Sequence, residues 1–277
     1  MSLYLRATDL HEKMNMMKQE IIGVLGRYLQ DSNAGSARAA ADAIDRLTHM
    51  KCFAGMGGSN ADDLETFLWQ LWDIVIQGAR KIPHDDPLQD RLVELVRTLA
   101  ELPPVTVEIW QSETRLWTDL PLLGPSMREA WISPTYDNHI PTSEEATEWI
   151  NLNAFAARLL NLGTNSWALF ALWELRAALE EPCDGLALEC NVAVATEWII
   201  HAGKPLYASA VTIEEDNDHS KAANGPFYEG NDMLCLERWR FWKWRFGELG
   251  EQLEANTKQM ALETRERMEA IEQSHGG

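Results

Sequence analysis

The sequence has no apolar run near the roughly 18 residues that a membrane-spanning helix needs. Its N-terminal stretch MSLYLRATDLHEKMNMMKQE is charged and amphipathic and has no apolar signal-peptide core. Cysteine is also scarce: Cys52, Cys183, Cys190 and Cys235 are scattered along 277 residues, a length that needs no disulfides to fold. We therefore expect a cytoplasmic, soluble protein with reduced thiols, although Cys183 and Cys190 are close enough in sequence to bridge in an oxidising compartment.

Basic residues are few in this sequence. The chain has 24 Lys and Arg against 43 Asp and Glu, a formal net charge of −19. Such a charge repels phosphate backbones and anionic lipid surfaces by the same electrostatics through which basic proteins bind them. We therefore expect neither nucleic acid nor a membrane among the partners.

Strong catalytic motifs are missing as well, including a Walker loop, a dinucleotide-type glycine pattern, HExxH, GxSxG and CxxC. The glycine-rich loop GMGGS (55–59) lacks the lysine of a phosphate loop. The acidic run EEDNDH (214–219) fails calcium-loop spacing because Lys221 stands where glycine is needed. The histidines do not pair at metal-ligand spacing. We therefore expect no cofactor and no metal.

Alternating strand patterns are absent too, whereas Pro and Gly divide the chain into helix-length amphipathic segments. Asp86 before Pro87 predicts a helix start, and Thr142 with Glu145 predicts a capping box. The Pro- and Trp-rich stretch 105–141 predicts short helical turns. Residues 185–203 predict the most enclosed helix, because nearly every side of it is apolar.

The predicted fold class is therefore all-α. We expect one domain over residues 1–277, a bundle of about eight to ten helices with a long C-terminal helix. Residues 1–58 could be a helical extension at the N-terminus, and residues 254–277 read as a charged helix or tail. Gly247 and Gly250 are candidate break points within the last helical segment.

Tryptophan is abundant, with twelve residues against five Tyr and seven Phe, so indoles must fill the interior or line a cavity. They are densest in LERWRFWKWRFGELG (236–250). At 100° per residue this segment has an apolar stripe formed by Cys235, Trp239, Trp242, Phe246, Leu249 and Leu253. Phe241 and Trp244 lie on the side of the helix almost opposite this stripe. Arg238 and Arg245, seven residues apart, share one flank, and Arg240 and Lys243 the other.

A helix with two apolar sides must be covered twice, by protein on both faces or by protein on one face and a ligand or partner on the other. The alternative is plain core packing, with basic side chains reaching acidic neighbours. Two further constellations place polar groups among aromatic ones. Trp149 and Asn153 share a helical face, and Glu197 precedes His201 by four residues, so a carboxylate could orient an imidazole beside Trp198.

Four segments together resemble a large family of fungal proteins of unknown function. They are WINLNAFAARLL (149–160), ATEWIIHAGKPLY (195–207), GPFYEG (225–230) and LERWRFWKWRF (236–246), and the likeness extends over about residues 60–250. The turn EGNDMLCLERW departs from the more basic family pattern, which puts an anion-binding role there in doubt. Members look like single-domain, all-helical, intracellular proteins, many encoded near natural-product genes.

The resemblance implies a candidate activity, because proteins similar to this one include hetero-Diels-Alderases of tropolone-sesquiterpenoid pathways. A pericyclic catalyst needs an apolar cavity and a few donors that polarise an oxygen. We therefore expect a cofactor-free cyclase with a hydrophobic small-molecule substrate. The candidate donors are His201 and Arg245, and the candidate lining is Trp149, Asn153, Trp198, Tyr207, Trp239 and Trp242. The alternative is a non-catalytic binding or interaction module, with a homodimer left open.

Overall fold

The computed structural model describes residues 2–30, 36–53, 61–160, 167–212, 223–253 and 255–275. The glycine-rich loop 55–59 and the acidic run 214–219 lie outside the described residues. The described part contains ten α-helices and one small sheet, which confirms the all-α prediction. The elements are α1 Ser2–Gln30, α2 Ala37–Thr48, α3 Ala61–Lys81, α4 Pro87–Ala100, β1 Thr106–Ile109, β2 Ser112–Arg115, α5 Leu123–Ala130, α6 Ser143–Leu160, α7 Ala168–Leu179, α8 Gly185–Val211, α9 Leu236–Gln252 and α10 Ala255–His275.

The chain divides into two compact units, Met1–Trp131 and Ile132–Gly277. The single-domain organisation that the sequence suggests stays a prediction. In the first unit, α1 and α2, the predicted extension, pack on α3 and α4. The apolar face of α3 is buried, and Trp72 on it donates its indole N–H to the carbonyl of Pro121 at 2.8 Å. Asp86 caps α4 by accepting from the backbone N–H of Leu88 at 2.8 Å, as predicted.

The prediction of short helical turns over 105–141 was right only in part. This stretch contains α5, but it also contains an antiparallel hairpin in which Thr106 of β1 pairs with Arg115 of β2 and Ile109 with Ser112. Its turn residues, Trp110 and Gln111, have φ values of 51° and 63°. Turns with positive φ at both central positions usually carry Asn, Asp or Gly, so the usual hairpin signal is missing from the sequence.

In the second unit, α8 contacts α6, α7, α9 and α10, which confirms that it is the enclosed central helix. It is longer than predicted, because it continues through Gly203 and Pro205 to Val211. The capping box at the start of α6 is confirmed. Thr142 accepts from the backbone N–H of Glu145 at 3.2 Å, and Glu145 accepts from the backbone N–H of Thr142 at 2.8 Å.

The C-terminal segment forms two helices, α9 and α10, and the long C-terminal helix of the prediction is α10. The chain leaves α9 at Leu253, not at Gly247 or Gly250. Both glycines stay helical and face α10: a Cβ atom on Gly250 would lie 2.5 Å from a methyl carbon of Leu262, and one on Gly247 would lie 3.0 Å from the guanidinium of Arg265. These glycines let two helices pack closely.

Candidate functional site

Three of the predicted lining residues meet between α6 and α8. Trp198 donates its indole N–H to the side-chain oxygen of Asn153 at 2.8 Å, and Asn153 donates to the backbone carbonyl of Trp149 at 3.0 Å. All three side chains are buried. The Asn153 amide therefore serves as the internal partner that a buried indole N–H requires.

Two residues of the tryptophan-rich segment 236–250, Arg238 and Trp242, contact Glu180 at the end of α7. Glu180 and Arg238 are both 0% exposed, and two hydrogen bonds of 2.7 and 3.0 Å join them. The indole N–H of Trp242 donates to the same carboxylate at 2.7 Å. A buried carboxylate is tolerated only when it is paired and hydrogen-bonded, and here three donors from α9 meet that need.

The same carboxylate anchors the loop that leads to α9. The backbone N–H of Gly225 donates to Glu180 at 3.0 Å, and the backbone N–H of Phe227 donates to the Glu180 carbonyl at 3.0 Å. A Cβ atom on Gly225 would lie 2.5 Å from that carbonyl oxygen, so only glycine fits. Arg238 also donates to the carbonyl of Asp232 at 2.9 Å. We call Glu180, Arg238, Trp242 and Gly225 the Glu180 network.

Trp239 completes the buried stripe of α9. Its indole N–H donates to Glu272 of α10 at 3.0 Å, and Lys243 donates to the other oxygen of that carboxylate at 2.6 Å. The ring of Tyr207 packs against the Trp239 ring with a centroid distance of 5.2 Å. Arg238 and Lys243 of this segment thus pair with acids outside α9, as the core-packing interpretation expected.

Five of the eight predicted site residues are therefore enclosed by protein: Trp149, Asn153, Trp198, Trp239 and Trp242. The stripe that the helical periodicity predicted is real, because Trp239, Trp242 and Phe246 are all buried. None of these residues, nor the half-buried Tyr207, lines either of the two cavities described below. Their assignment to substrate binding stays a prediction.

The second unit has an open cleft of about 750 Å³ that is lined in part by Arg245. The guanidinium carbon of Arg245 lies 5.1 Å from the centre of the Phe227 ring, and the side chain pairs with Glu248 one turn later on α9. Phe227, Tyr136, Ile140 and Leu186 all line the cleft with exposed apolar surface. We call this cavity the Arg245 cleft.

The opposite wall is polar. Thr135 donates its hydroxyl hydrogen to the side-chain oxygen of Asn191 at 2.9 Å, and the Asn191 amide contacts the Cys183 sulfur at 3.7 Å. Burial raises the pKa of the Cys183 thiol, and burial raises that of nearby Cys190 to about 12. Because the thiolate is the nucleophilic form, these cysteines are unsuited to nucleophilic catalysis at neutral pH.

Carboxylates surround the cleft as well, since Asp137, Glu174, Glu181 and Asp184 are among its lining residues. Arg245 is the one lysine or arginine among the described residues that line it. A guanidinium presents five N–H donors. Arg245 is therefore the group in this cleft best suited to donate hydrogen bonds to a ligand oxygen.

A family model described as "Protein of unknown function (DUF3632)" matches residues 72–246, from α3 to α9. The chain belongs to this family. The matched range contains the Glu180 network and every lining residue of the Arg245 cleft. No curated protein and no solved structure matches the chain.

In this DUF3632 chain the second predicted donor, His201, lies apart from the first. It lines a separate cavity of about 510 Å³ between α8 and α10, and its ring nitrogen lies 3.2 Å from Glu197, as the four-residue spacing predicted. His201 and Arg245 therefore do not share a cavity. A helical wheel gives directions around one helix and cannot show which cavity each direction reaches.

Sequence reasoning also missed residues of the DUF3632 chain that shape the Arg245 cleft, chiefly Phe227, Thr135 and Asn191. The signal for Phe227 was its place in GPFYEG, two residues after Gly225, the glycine that contacts Glu180. Thr135 and Asn191 carry no local signal, because they meet across 56 residues. Within the described residues, no group of three or more His, Cys, Asp or Glu could hold a metal ion, and no helix is long and apolar enough to cross a membrane.

Proposed function

We propose that this protein is a cofactor-independent enzyme that binds a hydrophobic small molecule in the Arg245 cleft and promotes its cyclisation or hetero-Diels-Alder cycloaddition. The observation that carries the proposal is the position of Arg245, a cation held beside an aromatic ring in the wall of a cleft with apolar surface. The pathway we propose for it is fungal secondary metabolism, which follows from the resemblance of its motifs.

The dimensions and surfaces of the cleft suit such a substrate. Ligand sites commonly enclose about 300–1,000 Å³, and this cleft has about 750 Å³. Phe227, Leu186 and Ile140 offer apolar surface on which a polycyclic or terpenoid substrate can lie. Holding two reacting groups in one such site replaces a bimolecular encounter with an intramolecular one, which lowers the entropic part of the barrier.

Arg245 supplies the electronic part of the proposed mechanism. In a hetero-Diels-Alder reaction of an enone or quinone methide, charge builds on the carbonyl oxygen as the new bonds form. A guanidinium N–H aimed at that oxygen stabilises the transition state more than the ground state. Phe227 and Glu248 hold the guanidinium in place before substrate binds. No nucleophile is needed, which agrees with the raised pKa of Cys183.

The test is a cycloaddition between an ortho-quinone methide and a sesquiterpene alkene, followed by chiral chromatography. With the protein we expect a faster reaction and an excess of one enantiomer. Arg245→Gln should lower the rate by about 100-fold, the usual cost of losing one donor to a developing oxyanion. Arg240→Gln, an exposed site on the same helix, is the matched control. Equal rates and a racemic product with and without protein would refute the proposal.

A second candidate function, a binding or self-association module, is favoured by Trp244. This side chain is 58% exposed and packs on Phe241 with a centroid distance of 5.7 Å. Adjacent aromatic side chains that are exposed together form the kind of apolar patch that can serve as an interaction site. The solution mass of the wild type and of Trp244→Ala separates the two functions: a dimer that the substitution dissociates favours association, and a monomer in both cases leaves the Arg245 cleft as the functional surface.

A further inference from the structure

The second cavity, between α8 and α10, concentrates positive charge in a strongly acidic protein. Its polar lining consists of Lys204, Arg267, His201 and Ser274, and no Asp or Glu is among its described lining residues. Its apolar lining consists of Ile199, Ile200, Pro205, Ala270 and Ile271. We call this the basic cavity.

The two cations of the basic cavity are not used in ion pairs within the described part of the chain. Other surface cations of this protein pair with carboxylates, such as Lys18 with Asp73 and Arg38 with Asp42. The cation next along α10, Arg265, pairs with Glu269 at 3.1 Å. Lys204 and Arg267 instead point their charge at a cavity without acids, where an external anion would meet the least repulsion.

Arg267 is also positioned by the backbone of α8. It donates to the carbonyl of Ile200 at 2.9 Å. Pro205, four residues after His201, lacks an N–H, so α8 is one hydrogen bond short beside this contact. The contact with Ile200 fixes one end of the guanidinium at the cavity wall. Its remaining N–H groups form a planar fork that matches the two oxygens of a carboxylate.

The ring of His201 is already engaged by Glu197 at 3.2 Å. The hydroxyl of Ser274 donates to the Ile271 carbonyl at 2.7 Å. Recognition of an anion therefore falls to Lys204 and Arg267. Ile200, Pro205 and Ala270 beside them provide accessible apolar surface for the rest of a ligand, and the volume of about 510 Å³ is that of a small-molecule site.

We infer that the basic cavity binds an amphipathic carboxylate, with its apolar tail on Ile200, Pro205 and Ala270 and its carboxylate held by Lys204 and Arg267. This site is separate from the Arg245 cleft and does not depend on the proposed cyclisation. It makes this protein a receptor for a small organic acid, whichever reaction the other cleft performs.

The probe is sodium octanoate, titrated calorimetrically into the full chain at low salt. We expect saturable binding that Lys204→Gln with Arg267→Gln weakens by about tenfold or more, the usual effect of losing charged hydrogen bonds. Octanol, which has the tail without the charge, should bind weakly and equally to both proteins. Ala270→Trp, at an exposed lining position, should block octanoate by filling the cavity. Lys258→Gln, exposed on α10 and outside the cavity, is the matched control.

Three outcomes would overturn the inference. The first is no octanoate binding by the wild type, and the second is equal binding by the double variant. The third is inorganic phosphate binding as tightly as octanoate, which would show a simple anion site without a role for the apolar wall. Arg245→Gln should leave octanoate binding unchanged. If it abolishes binding while the double variant does not, the acid occupies the other cleft.

Discussion

Arg238 and Arg245 lie on the same flank of α9, two turns apart, and have opposite surroundings. Arg238 is 0% exposed, whereas the Arg245 side chain is 18% exposed at the wall of a cleft. Arg238 donates hydrogen bonds to the Glu180 carboxylate at the end of α7 and to the Asp232 carbonyl. Arg245 forms a salt bridge with Glu248 of its own helix. What separates a structural arginine from a ligand-binding one is thus which acceptors the rest of the fold brings to it.

The two arginines also differ in what remains for a ligand. Each of the three guanidinium nitrogens of Arg238 donates to a protein oxygen. Its charge is neutralised by a carboxylate that is itself 0% exposed. Arg245 keeps its guanidinium over the Phe227 ring and lines the cleft. We therefore expect substitutions at the first site to act on stability and those at the second to act on binding.

The largest effect should come from Arg238→Met. It leaves the buried Glu180 carboxylate without its partner, and breaking a buried ion pair in this way costs about 3–5 kcal/mol. Denaturant unfolding followed by circular dichroism measures the loss. Arg240→Met, exposed on the same helix, should change stability by less than about 0.5 kcal/mol. If the two variants are equally stable, the Glu180 network does not hold the second unit together.

A smaller loss is expected from Asn153→Leu, a change of similar volume. The indole N–H of Trp198 then loses its acceptor inside the core, and an unsatisfied buried donor costs about 1–3 kcal/mol. Phenylalanine has no N–H to satisfy. Trp198→Phe should therefore lower the free energy of unfolding by less in the Asn153→Leu background than in the wild type. Strict additivity in this double-mutant cycle would show that the hydrogen bond contributes nothing.

Arg245→Gln should affect stability least among the three buried or half-buried sites. It removes a cation–π contact with Phe227 and a pair with Glu248, together worth about 1 kcal/mol. The same denaturant experiment measures this value, and it should be well below that of Arg238→Met. A loss as large as that of Arg238→Met would make Arg245 a structural residue and would undermine its proposed role in the cleft.

Glu145→Gln, at the exposed capping box of α6, should have the smallest effect on stability. Hydrogen bonds from the backbone N–H and the hydroxyl of Thr142 hold the pKa of Glu145 below its ordinary value of 4.5. A lowered pKa stabilises the fold above pH 4.5, and this contribution disappears as the pH falls through the folded-state value. The wild type should therefore be slightly more stable than the variant at neutral pH. Thermal unfolding between pH 7 and pH 3 should show this difference shrinking.

Local signals in the sequence predicted local structure well. The Asp86 cap, the Thr142–Glu145 box and the buried stripe of α9 depend on residues within a few positions of one another, and the structure contains all three. The hairpin was missed because Trp110 and Gln111 take the place of the usual turn residues. Four-residue strands are also too short to show a clear alternation.

The candidate sites were predictable only in part, because their residues come from distant segments. Periodicity placed Arg238 on the correct flank of α9, but its partner Glu180 is 58 residues away. The pairing of His201 with Glu197 follows from their spacing, whereas the cations that share its cavity come from another turn of α8 and from α10. Abundant tryptophan suggested a lined pocket, and in the structure most of those indoles form the core.

The glycines of α9 have a consequence for the order in which this protein folds. Each interior glycine weakens an isolated helix by about 1 kcal/mol relative to alanine, and α9 carries Gly247 and Gly250 within five residues of its end. Leu262 and Arg265 of α10 occupy the space that side chains there would take. The last turns of α9 therefore gain their stability only once α10 has docked, so these two helices should form as one cooperative unit.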